Sequence, residues 1–205
     1  MSRLFVLLAA AVLCAGCVGS ALKSDNDAPE IYRLDGASIA AAGESLPLAL
    51  SVARPRAASS LDTERIAAVM PGGGFDYFAG VRWADTAPQM LQQLLVQAFA
   101  ADGRFATTVA GPSRVPTDLM LDVELRQFEA VYADERAAPR VRVEMQVTLV
   151  DSRKGVRVAS FRAASEAAAD RNRRQSVVAA FEVATDEALK AAVARVSEST
   201  AGLAR

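Results

Sequence analysis

The chain has no histidine, a single tryptophan and only two cysteines, Cys14 and Cys17, both close to the N-terminus. Without histidine there is no Ser-His-Asp triad and no Cys/His zinc site. With both cysteines inside an N-terminal apolar segment, the rest of the chain offers neither a disulfide nor a thiol nucleophile, so its stability must come from packing. No metal or other cofactor is expected. Charge of one sign is missing as well. The formal net charge is -1 and the basic residues are spread along the chain, which gives no electrostatic footprint for nucleic acid. Gly72-Gly73-Gly74 is not followed by Lys-Ser or Lys-Thr, so it is no phosphate-binding loop and reads as a hairpin turn or flexible loop. A carboxylate-based hydrolase stays open. However, 24 Asp and Glu produce pairs by chance, and no spacing singles one pair out.

Long apolar runs are also scarce. The one uncharged run, Leu4 to Gly16, follows Arg3 and falls short of the ~20 residues that a membrane-spanning helix needs. It ends Leu13-Cys14-Ala15-Gly16-Cys17, small residues leading into a cysteine. This resembles a bacterial lipobox, with residues 1–16 as the signal peptide and Cys17 as the acylated residue. The position three before the cysteine, usually apolar, is here Cys14. The alternatives are an ordinary cleaved signal or a short buried helix. Lipoproteins of this kind are sorted by the next residue, and Val18 is not the Asp that retains them in the inner membrane. The resemblance therefore implies an outer-membrane protein whose domain faces the periplasm. Palmitate-type chains contribute ~0.8 kcal/mol per buried methylene, so several of them anchor stably without a transmembrane helix. Residues 17–29 are small and polar and read as a flexible tether, reaching ~40 Å at most when extended.

Residues 30–34 read as a short strand, and 46–52 alternate Leu46, Leu48, Leu50 and Val52 as a second. Residues 65–70 and 75–78 would pair across the glycines. After Val81, Arg82 and Trp83, Asp85 or Thr86 is placed to cap a helix with Pro88 in its first turn. Leu91, Leu94, Leu95, Ala98 and Phe99 line one side of that helix, and Gly103 suits a left-handed cap. Residues 104–109 form a strand. Leu119, Leu121, Val123 and Leu125 then alternate with polar residues, and Phe128 and Val131 break the register, which predicts a bulge near Gln127. Val141 to Leu149 alternates likewise, and 156–164 returns after a turn at 151–155. These make a three-stranded antiparallel meander with one buried and one polar face. The polar face is solvated surface or, alternatively, a subunit contact. A last helix over 172–196, capped by Asp170, carries Val177, Phe181, Ala184, Ala188 and Val193 on its apolar stripe. Residues 198–205 read as a frayed tail.

The fold class is therefore α+β: a single domain over 30–197, with an antiparallel or mixed sheet and two long helices packed on it. Two amphipathic helices have just enough apolar surface to cover one sheet, so the monomer is not expected to solubilise a phospholipid. Trp83, at a strand-to-helix junction, serves either as a core plug or as a partner-binding anchor. The cluster Arg171, Arg173 and Arg174 at the mouth of the last helix opposes the helix dipole. It is either a solvated end or a contact for acidic headgroups or an acidic partner.

Tyr32-Arg33-Leu34, then Leu61-Asp62 before Arg65-Ile66, then Phe75-Asp76-Tyr77 followed by Arg82-Trp83-Ala84-Asp85, then a helix from Pro88 to Arg104-Phe105, occur in that order. Together with the lipobox, this succession resembles the ABC-type transport auxiliary lipoproteins, PqiC-like components associated with Mce-type lipid transport. The resemblance implies a non-catalytic outer-membrane subunit whose partners are an Mce-type protein and an ABC permease and ATPase. A homo-oligomeric ring is a further expectation from it. No catalytic residue comes with the family. Tyr77, Arg82 and Trp83, with Arg171, Arg173 and Arg174, are the candidate interaction residues. The other readings are a structural lipoprotein of another envelope machine and the carboxylate-based hydrolase.

Overall fold

A computed structural model describes residues 28–41 and 45–202. The signal, Cys17 and most of the tether expected from the sequence lie outside these residues. Its central element is β7 (Leu119–Val131), the strand with the clearest alternation. On one side it pairs antiparallel with β8 (Arg140–Asp151), and β8 pairs antiparallel with β9 (Val156–Ala168). The ladder slips between Leu125 and Gln127. That is the predicted bulge. It lets Phe128 and Ala130 continue the buried row begun by Leu119, Leu121, Val123 and Leu125.

The other edge of β7 is shared by three short strands in succession, all parallel to it. These are β2 (Leu46–Val52), β3 (Arg56–Ala57) and β4 (Arg65–Val69). β2 also pairs parallel with β6 (Phe105–Ala110), and β4 pairs antiparallel with β5 (Phe75–Trp83), beside which β1 (Glu30–Tyr32) lies. The sheet is thus mixed and has nine strands among the described residues. Strand order and β3 are new from the structure. Pro55, which ends β2 in the sequence, is followed at once by this two-residue pairing.

Helix α1 (Ala87–Asp102) packs over β6, and α2 (Arg174–Thr200) lies across β8 and β9. Both cover the same face, where Met145, Val147, Leu149, Leu91, Leu95, Phe99, Phe181 and Leu189 are all fully enclosed. Pro88 stands in the first turn of α1 and Gly103 (φ +67°) closes it, its N–H reaching the Phe99 carbonyl at 3.3 Å. Thr86 is the cap residue by position only. Its hydroxyl accepts from Arg54 at 3.1 Å instead of capping the helix.

Helix α2 differs from its prediction at both ends. Its cap position is Arg173, not Asp170, because Asn172 is held outside the helix. The Asn172 amide accepts from the Tyr132 hydroxyl at 2.9 Å and donates to the Glu135 carbonyl at 3.1 Å. At the other end the helix continues through Thr200, which is buried, so the frayed tail cannot begin before that residue. β9 likewise runs to Ala168, past the predicted 164, because β8 offers it partners as far as Arg140. The outer face of the meander is charged. Arg140 and Arg142 both hold Glu166, at 3.0 and 2.7 Å, and Arg162 meets Glu144 at 3.3 Å.

Candidate interaction surface

The β4–β5 hairpin turns on Pro71 to Gly74. Gly72 and Gly73 both have φ +86°, which glycine adopts without Cβ strain. The Met70 N–H bonds the Gly74 carbonyl at 2.7 Å and so closes the turn. Val69 opposes Phe75, Ala68 opposes Asp76, and Ala67 opposes Tyr77. The register then shifts, and Arg65 opposes Arg82. The surplus residues sit on β5, where Gly80 takes φ +70°, so β5 bulges and swings its second half under the helices.

Two arginines face each other across this hairpin, an arrangement that like charges disfavour. Each is accommodated differently. Arg82 meets Glu64 at 2.8 Å, whereas the Arg65 guanidinium lies 3.7 Å over the centre of the Tyr77 ring. The Tyr77 hydroxyl donates to the Ser60 carbonyl at 3.1 Å, and Phe75 stands edge-on to the ring at 5.4 Å. Phe75, at the hairpin tip, is 43 % exposed.

Beside this tip, Met70, Tyr77, Phe78 and Tyr132 line a shallow groove of about 160 Å³. Tyr132 is tilted against Phe78 at 6.4 Å, and burial raises its phenol's proton affinity. Asn172 reaches the same groove, which brings the arginine cluster to the hairpin. Arg174 lies over the bulge, its guanidinium 3.6 Å from where a Cβ on Gly80 would stand. Arg171 pairs with its neighbour Asp170, at 3.4 Å, and Arg173 is exposed at the cap position. The fold therefore gathers Tyr77, Arg171, Arg173 and Arg174 at one end, with Arg82 on the same hairpin but spent on Glu64. Trp83 is separate from them. It is fully enclosed, 5.1 Å from Phe181 and 5.7 Å from Phe128, and it packs as the core plug. A side chain with no exposure presents nothing to a partner, so the anchor reading does not fit this fold.

Sequence reasoning missed Phe75, Phe78, Met70, Tyr132 and Arg65 as parts of this surface. The alternation of Phe75 with Tyr77 was the available signal, since residues two apart share a strand face. Among the described residues no group of three or more Asp, Glu, Cys or His is placed to hold a metal ion, and no helix is long and apolar enough to cross a membrane.

Residues 32–197 match the family described as the ABC-type transport auxiliary lipoprotein component. The chain belongs to that family. As an auxiliary lipoprotein it is an envelope-associated protein serving an ABC transport system. It is similar to protein XCC0632 from Xanthomonas campestris, at 25% identity and a TM-score of 0.75, covering 82% of this chain and 95% of that one. It shares its fold with the hypothetical protein CT253 from Chlamydia trachomatis, at 7% identity and a TM-score of 0.55, covering 77% of this chain and 99% of that one. No curated protein matches it.

Proposed function

We propose that this auxiliary lipoprotein is a non-catalytic outer-membrane subunit of an Mce-type lipid transport system, anchored by acylated Cys17, and that it docks the trans-periplasmic assembly. The family match, with its ABC transport association, carries the reading. The hairpin end supplies a surface for it. An exposed Phe75, the Tyr77 ring under Arg65, and the neighbouring Arg171 and Arg173 combine an apolar anchor with a polar rim, the composition that protein interfaces favour. The partner is the Mce-type protein held by the ABC permease and ATPase, met by a ring of copies.

The test has two parts. Membrane fractionation with mass spectrometry should find diacylglycerol-modified Cys17 in the outer membrane, and Cys17→Ser should release a soluble form. Tagged protein should co-purify the Mce-type protein, and Phe75→Ser with Tyr77→Ala should remove it from the eluate. An unmodified Cys17, or co-purification indifferent to the double variant, refutes the corresponding half.

A further inference from the structure

A second surface lies at the far end of the sheet from the hairpin. β7 begins at Leu119, opposite Asp151 of β8, and ends at Val131, opposite Val69 of the hairpin. Its 13 residues span about 40 Å at ~3.3 Å per residue, and that length separates the two ends. At the Leu119 end two turns stand side by side, 111–118 before β7 and 151–156 between β8 and β9. The Ser152 N–H donates to the Asp118 carbonyl at 2.8 Å, and the Arg153 guanidinium meets the Asp118 carboxylate at 2.6 Å. Each turn puts a valine into solvent, Val115 being 50 % exposed and Val156 57 %.

The charges around these valines are of mainly one sign. Residues 113–118 and 151–157 hold four cations, Arg114, Arg153, Lys154 and Arg157, against two carboxylates, Asp118 and Asp151. The carboxylates turn inward. Asp118 accepts from the Ala49 N–H at 2.9 Å, and Asp151 accepts from the Arg153 and Lys154 N–H groups at 3.0 Å each, so both are engaged in holding the turns. The cations point outward. The Arg153 side chain is 79 % exposed, that of its partner Asp118 only 19 %. Exposed ion pairs hold weakly, so Arg153 and Lys154 exchange their partners for another anion at little cost. Arg114 and Arg157 are exposed and make no ion pair among the described residues. The hairpin end is mixed by contrast, with Asp76, Glu135 and Asp170 among its arginines.

We propose that these two turns rest on an anionic phospholipid surface, with Arg114, Arg153, Lys154 and Arg157 among the headgroup phosphates and Val115 and Val156 dipping below them. Cations ringing small exposed aliphatic groups suit a lipid interface, where charge attraction and shallow apolar insertion add. A protein partner is favoured by aromatic anchors packed at the centre of a contact, and neither turn contains an aromatic residue. Seated this way, the domain points its hairpin away from the bilayer. Acylated Cys17 brings the bilayer within reach, and the orientation rests on that part of the functional reading. The lipid contact itself belongs to the folded domain, whether or not the hairpin docks an Mce-type protein.

The test is vesicle flotation with the mature chain carrying Cys17→Ser, which keeps every described residue and has no acyl anchor to mask the contact. It should float with vesicles of phosphatidylglycerol and phosphatidylcholine in equal parts, not with phosphatidylcholine alone, and binding should weaken as salt rises. Arg114→Gln with Arg157→Gln breaks no ion pair and should weaken partition about twentyfold, at about fivefold per cation. Arg171→Gln with Arg173→Gln should leave it nearly unchanged, since the hairpin end lies several ~10 Å screening lengths away. Orientation is read from an environment-sensitive dye, because this chain has no other cysteine. On Val156→Cys the dye should shift to the blue with anionic vesicles, and on Phe75→Cys it should not. No binding to the anionic vesicles overturns the proposal and leaves this end to an acidic protein. Partition indifferent to the Arg114 and Arg157 substitutions overturns it too, as does a dye that shifts at Phe75 or stays in water at Val156.

Discussion

The meander β7–β8–β9 and the hairpin wing β4–β5 belong to one sheet, yet they are held in different ways. The meander runs as long, nearly unbroken antiparallel ladders with α2 laid along one face. Its outer face is a lattice of ion pairs between exposed side chains. The wing's ladder with β7 is short, Ala67, Ala68 and Val69, and the wing shifts register once and depends on glycines with positive φ. Regular ladders repeat one geometry and display little that is particular. The irregular wing aims individual side chains, and it carries the exposed aromatic and the arginine stacked on a ring. Scaffold and surface are divided accordingly, and Trp83 joins them by packing the end of β5 onto Phe128 of β7 and Phe181 of α2.

Breaking that joint should have the largest effect. Trp83→Ala is expected to cost about 3–5 kcal/mol, because the cavity would sit among Phe128 and Phe181 with no solvent route to relax it. Denaturant unfolding measures this, and a loss under ~1 kcal/mol would mean that wing and scaffold are not joined there. Next comes the turn. Gly72→Ala meets no neighbouring atom but places a Cβ at φ +86°, so about 1–2 kcal/mol of backbone strain is expected, read as a lower melting temperature.

The scaffold's outer face should matter less. Glu166→Gln removes the carboxylate shared by Arg140 and Arg142, both sides being well exposed, so less than about 1 kcal/mol is expected. Hydrogen bonds from Arg140 and then Arg142 hold the Glu166 carboxyl below its ordinary value of 4.5. A depressed carboxyl contributes stability that is present above that ordinary value and is lost as pH falls through the lower folded-state value. Acid titration of the variant should therefore show a shallower loss than wild type in that window, and identical curves would show that the pairs contribute nothing. Smallest of all in stability is Phe75→Ser, within about 0.5 kcal/mol at this exposed site. Its expected effect is on partner capture, and a large drop in melting temperature would instead make Phe75 part of the fold.

The difference between the two regions also decided what could be read from the chain. Hydrophobic alternation follows from one strand burying one face, so Leu119 to Leu125, Val141 to Leu149 and even the bulge before Phe128 were legible without coordinates. The helices were legible for the same local reason, Pro88 and Gly103 marking the ends of the first. The candidate surface was half legible. Tyr77 and the arginines stood out by type, but nothing local joined residues so far apart in sequence.

The sequence by itself therefore determined the α+β class, the meander, both helices and the lack of any histidine and of any cysteine after Cys17, each a property of composition or of short-range periodicity. Only the tertiary structure decided that β2, β3 and β4 dock in turn along one edge of β7, since parallel pairing leaves no turn signal between its strands. It also decided that Trp83 lies inside rather than out. And it brought Asn172 to Tyr132, which moved the start of α2 to Arg174 and set the arginine cluster beside Phe78. The buried Asp102 meets Arg104 and Ser197 for the same reason. Their chemistry depends on which groups share a desolvated volume, and that is fixed by packing between distant segments rather than by the order of residues along the chain.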